Sequence, residues 1–268
     1  MYPISIIVFV FSFLNLAIGQ QPGQAPVADA SWLVRYQAFQ KLQQQAKGHY
    51  TEAQKAQLLA TLQQESKFAE DFGAKYRGSK DLGEGFGEYW SELLGAVSSF
   101  ADLRDPSVLR ILVFAGYDPD SDFAKRLIAQ KENVLPAIRE LSHSPDPFSR
   151  ANAAGLLKNM AQDTSLPCAA TRDVTDMLIS LANDVDGPPD DAQEGVKWQA
   201  VEGLATIRSP RAVAALQKVA QSESKSVKDD DGTVRHPLSD QAKGHLRVIA
   251  ETGGPKAAPC DASSPQSK

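Results

Sequence analysis

The chain has 268 residues, 42% of them hydrophobic and 23% charged, with a net charge of −5 and a pI near 5.4. That length allows one elongated domain or two small ones, and the apolar fraction suits a globular chain with a core. The acidic balance argues against a general nucleic-acid binder, which is normally basic, and against electrostatic attachment to an anionic membrane surface.

Residues Ile4 to Ile18 are almost wholly apolar. The run has the length of a signal-peptide core and is short for a spanning helix. Ala17-Ile18-Gly19 is a small-x-small site. Residues 1–19 are therefore expected to be an export signal cleaved before Gln20, placing the protein in a secreted or periplasmic compartment. Met1-Tyr2-Pro3 supplies no Lys or Arg, so an uncleaved N-terminal membrane anchor stays open as the alternative. No cysteine stands at the cut to carry a lipid. Residues 20–30, QPGQAPVADA after the first Gln, read as a linker.

Two helices are expected next. Ser31 to Lys47 puts Trp32, Tyr36, Phe39 and Leu42 on one stripe, and Gly48 ends it. Thr51-Glu52-Ala53-Gln54 is a capping box opening a long helix to Arg77, with Leu58, Leu59, Leu62, Ala69, Phe72 and Tyr76 inward. Residues 31–77 are read as an N-terminal helical cap. The glycine-rich Gly78 to Gly87 has no strand before it and no phosphate-binding fingerprint, and Asp81 and Glu84 would repel phosphate. It reads as a connection. Glu88 to Leu103 is expected as a helix with Tyr89, Leu93, Ala96, Val97 and Phe100 inward. Asp105-Pro106 starts another, to Gly116, and Ser121 to Gln130 completes that pair.

Val134 to Gln162 reads as a helical hairpin. Val134, Leu135, Ile138 and Leu141 share one face of its first helix, with Pro136 tolerated in the first turn. Ser142 to Pro147 breaks the chain twice, because each proline disfavours the helical conformation in the residue before it. Ser149 is the expected N-cap of the second helix, whose inner face carries Ala153, Leu156, Leu157 and Met160. Ala151, Ala153, Ala154 and Gly155 would let a neighbouring helix approach closely.

The Asp-Pro-x-x-Arg string, Asp146 to Arg150, followed by Ala-Ala and Leu-Leu, resembles the inter-helix turn and second helix of a HEAT repeat. Val196 to Ser209 and Ser239 to Thr252 align with Ser149 to Gln162, matching Ala153 to Ala200 and Ala242, and Leu157 to Leu204 and Leu246. The steps fall within the HEAT-type period of about 40–47 residues. First helices precede the copies, Asp173 to Ala182 and Pro210 to Ala220, with Asp173 and Ser209 as expected N-caps. The string is whole only at Asp146, and the loops Asn183–Gln193 and Ser222–Pro237 are longer than a plain HEAT turn. The expected fold is all-α: an α–α superhelix of HEAT-like hairpins over residues 88–252, capped at its N-terminal end by residues 31–77, with 253–268 a flexible tail.

Candidate chemistry is sparse. Asp118, Asp120 and Asp122 alternate as calcium ligands do, but Phe123 and Ala129 stand where an EF-hand needs Gly and Glu. These acids, Asp184-Val185-Asp186-Gly187 and Asp229-Asp230-Asp231-Gly232 read as acidic turns. Of His49, His143, His236 and His245, only His236 with Asp240 suggests a shared helical face for a metal, and a site needs further ligands. No metalloprotease, hydrolase-elbow or haem-attachment motif occurs. The sequence nominates no catalytic, cofactor-binding or metal-ligating residue and no cofactor, and leaves the binding surface unnamed.

The two cysteines, Cys168 and Cys260, follow an export signal, so a disulfide is expected. In a HEAT-like stack Cys168 would lie in the loop Thr164–Thr171, on the edge where the tail emerges about two helix layers away. The segment Thr252–Cys260 reaches about 25 Å, enough to span that distance. Two free thiols, or pairing with another chain, remain the alternatives. The expected function is that of a non-catalytic exported scaffold or binding module with an unidentified protein partner, since stacked hairpins generate extended surfaces. The alternatives are an enzyme related to HEAT-like bilin lyases, which this chain resembles only in the repeat, and a structural envelope protein whose acidic loops bind cations weakly.

Overall fold

The computed structural model describes residues 31–75, 85–115, 121–183, 191–222, 226–228 and 234–255. The expected export signal and linker, residues 78–84 of the glycine-rich connection, Asp118, Asp120, the acidic turns after Asn183 and Lys228, and residues 256–268 lie outside these. Among the described residues the chain is helical: α1 Ser31–Ala46, α2 Glu52–Lys75, α3 Phe86–Phe100, α4 Pro106–Phe114, α5 Asp122–Ile128, α6 Leu135–Leu141, α7 Pro147–Met160, α8 Cys168–Ala182, α9 Asp191–Ile207, α10 Pro210–Gln221 and α11 Pro237–Glu251. A 3-10 turn, Lys131–Asn133, precedes α6. The architecture is the all-α one expected. The long loop Ser222–Pro237 adds one detail, a two-residue antiparallel ladder of β1 Val227–Lys228 against β2 Val234–Arg235.

The termini follow local chemistry. Thr51 and Gln54 form the expected capping box: the Gln54 side chain accepts from the Thr51 N–H at 2.9 Å while Thr51 Oγ1 accepts from the Gln54 N–H at 3.3 Å. Asp105, Ser121 and Ser209 each accept a backbone N–H of the helix they precede. The N-cap of α7 is Asp146, not Ser149. Asp146 has the extended backbone a cap requires, and its Oδ2 accepts from both the N–H and the hydroxyl of Ser149 at 2.9 Å. With Pro147 at the first helical position, the helix starts three residues earlier than Ser149 as N-cap would place it. Asp173 is likewise not a cap. Pro167 precedes α8 directly, so Cys168 is its first residue rather than part of a loop, and Asp173 lies within the helix. The third helix begins at Phe86 after Gly85, whose φ of +93° suits glycine.

Successive helices pack in two series. α4, α6, α8 and α10 touch in turn, as do α5, α7, α9 and α11, and the pairs α6/α7, α8/α9 and α10/α11 pack within themselves. The expected inner residues Leu135, Ile138, Leu141, Leu156, Leu157, Met160 and Leu204 are buried, as are Leu178, Leu216 and Ile249, while Leu246 is partly buried. Each such side chain contributes about 1.5–3 kcal/mol relative to an exposed one. The most extensive contact is between α7 and α9. Small residues permit it: Ala153 and Ala154 on α7, Ala200 and Gly203 on α9, all buried. A Cβ at Gly203 would lie 2.8 Å from Leu178 Cδ1 and 3.2 Å from the Lys158 Cα, so the helices meet backbone to backbone there.

The N-terminal helices do more than abut the first hairpin. α2 packs on both α3 and α4, and Glu70 near its end accepts from the Ser144 hydroxyl at 2.8 Å, in the turn between α6 and α7. Arg150, 4% exposed, closes the same turn by donating Nη1 to the carbonyls of Ser144 at 2.8 Å and Pro145 at 3.1 Å.

Two substitutions test this packing in urea unfolding. Arg150→Met leaves those carbonyls without their donor and is expected to cost about 1–3 kcal/mol. Gly203→Ala overpacks the α7–α9 contact and is expected to cost about 1–3 kcal/mol, against the usual stabilising sign of Gly→Ala in a helix.

Candidate functional site

Three features bear on function: the charged row on α4, α6, α8 and α10, a buried polar centre among α1, α2 and α3, and two exposed aromatics on α7 and α9.

On the first, Arg110 pairs with Glu140, Arg139 with Asp173 at 3.1 Å, and Arg211 with Asp176 at 2.6 Å. Each bridges one helix to the next in the series. The Arg110 guanidinium holds the Glu140 carboxyl below its ordinary range, chiefly through direct hydrogen bonding. All six side chains are about half exposed, so each pair contributes on the order of 0–1 kcal/mol. Their charges neutralise one another and leave none of the six poised for a ligand.

On α2, Glu65 is fully buried. Both its carboxylate oxygens accept from Arg35, Oε2 at 2.9 Å from Nη2, and Oε1 also accepts from the Tyr89 hydroxyl at 3.1 Å. Aromatic rings surround the group: Tyr36 lies 4.9 Å from Tyr89 between centroids, Trp32 stacks on Tyr89 at 6.3 Å, and Arg35 sits 5.2 Å over Phe68. The stripe expected on the first helix is therefore core. A carboxylate stripped of water is stable only when its lone pairs are filled this way. Beside the group, a cavity of about 160 Å³ lies between α1 and α2, lined by Arg35, Phe39, Leu42, Leu58, Thr61 and Gln64 among others.

Phe148 on α7 is 36% and Trp198 on α9 40% exposed. Lys158 reaches across to Glu202 at 3.4 Å. Carboxamides that sequence reasoning passed over recur at one register position of the aligned segments. Asn152, Gln199 and Gln241 each stand one residue before the matched alanines Ala153, Ala200 and Ala242. The Oε1 atoms of Gln199 and Gln241 are buried without a hydrogen-bond partner. The repeat alignment already contained the signal, because the same residue class recurs at one register position.

The other candidates do not assemble. Asp122, the described member of the Asp118–Asp122 string, pairs with Lys125 at 2.9 Å, and that hydrogen bond holds its carboxyl below the ordinary range. His236 precedes α11, and Asp240 accepts its backbone N–H at 3.3 Å and lies 3.5 Å from Lys243, so the pair serves the helix start instead of a metal. His143 Nδ1 lies 2.7 Å from the Arg139 carbonyl oxygen, and His49 is exposed at the end of α1. Among the described residues no three His, Cys, Asp or Glu side chains converge as a metal site. Cys168 is not a free thiol, and Cys260 lies outside the described residues. Among the described residues no helix is long and apolar enough to cross a membrane. Compared with known proteins, the chain matches no family model, no curated sequence and no solved structure.

The buried centre gives two expected results. Glu65→Ala takes the buried acceptor from the Tyr89 hydroxyl and is expected to cost about 1–3 kcal/mol in chemical unfolding. Burial, reinforced by the neighbouring Glu65 charge, pushes the Tyr89 hydroxyl far above its ordinary pKa, and burial with Glu92 pushes Tyr36 up too. The unfolded phenols ionise near pH 10 while the folded ones keep their protons, so this stability is complete below about pH 10 and declines above it. In denaturation midpoints measured from neutral to alkaline pH, Tyr89→Phe should flatten that decline. An unchanged alkaline slope would contradict the assignment.

Proposed function

We propose that this protein is an exported, non-catalytic HEAT-like repeat protein that binds a protein partner through exposed aromatics on α7 and α9. The single observation that carries the reading is the pair of large exposed aromatics, Phe148 and Trp198, on the two most closely packed helices. Aromatic side chains of this kind are the usual anchors of protein interfaces. The two series of touching helices, at the spacing of the aligned segments, support a HEAT-like solenoid as the scaffold. A rigid, backbone-to-backbone α7–α9 contact would hold the two anchors at fixed separation, which lowers the ordering cost of binding.

Export before Gln20 and pairing of Cys168 with Cys260 belong to the same proposal. What supports the pairing is that Cys168 is not free and the chain contains one other cysteine. A bond between them would tie the tail to the start of α8 and, by closing a long loop, stabilise the fold by up to about 4 kcal/mol in the chain-entropy model.

Two measurements decide. Retention of partner proteins from an envelope or culture-fluid extract of the host should be seen with the mature chain and lost with Phe148→Ser/Trp198→Ala at unchanged thermal stability. Equal retention by both chains would remove these aromatics from the proposal. Peptide mapping without reduction should recover a Cys168–Cys260 cross-linked peptide from exported protein, and recovery of both residues as alkylated thiols would refute the pairing.

A further inference from the structure

We draw no further inference here: the strongest candidate, the recurring set of carboxamides Asn152, Gln199 and Gln241 on α7, α9 and α11, belongs to the features already described, and nothing in the structure shows what covers it.

Discussion

The carboxyl-terminal two thirds of this chain depends on one buried cation. Arg150 sits inside the turn between α6 and α7 and donates to two carbonyls of that proline-broken segment, Ser144 and Pro145. Asp146 meanwhile satisfies the first N–H groups of α7. Together they fix the angle at which α7 leaves α6. α7 then runs on to its close contact with α9. The Glu70–Ser144 hydrogen bond ties the same turn to α2.

Two kinds of polar interaction serve this protein, and burial separates them. Glu65 and Tyr89 are shielded from water while Arg35 stays partly exposed, so the buried carboxylate needs its partners more than the guanidinium does. The pairs linking α4, α6, α8 and α10 are open to solvent and weak one at a time. They decide less whether the helices pack than which neighbours they pack beside.

Much of the fold was legible because helical periodicity and proline breaks are strong signals. The hairpin Val134–Gln162 and its inner residues emerged as read, since Leu135, Ile138, Leu141, Leu157 and Met160 recur at helical spacing on either side of a proline-broken turn. Boundaries were less legible. Ser149 and Asp173 are both competent caps by residue type, yet α7 and α8 start from Asp146 and Pro167, because a proline at the helix entrance outweighs a polar side chain further in. The buried role of Glu65 was invisible: its partners are 30 residues before and 24 after it, and no local pattern links them. The exposed Phe148 and Trp198 were equally hidden, because a lone aromatic on a helix reads as core until its neighbours are known.

The charged row also carries a weak order of signs along the helix pairs. α6 offers Glu140 towards α4 and Arg139 towards α8, whereas α8 offers acids in both directions, Asp173 and Asp176. On charge alone, excising α6 with α7 would leave Arg110 facing Asp173, an acceptable match. Excising α8 with α9 would set Arg139 against Arg211, two guanidinium groups with no acid between them. Because every contact in the row is open to solvent, this pattern of signs biases the order of the helix pairs by no more than about 1 kcal/mol per contact.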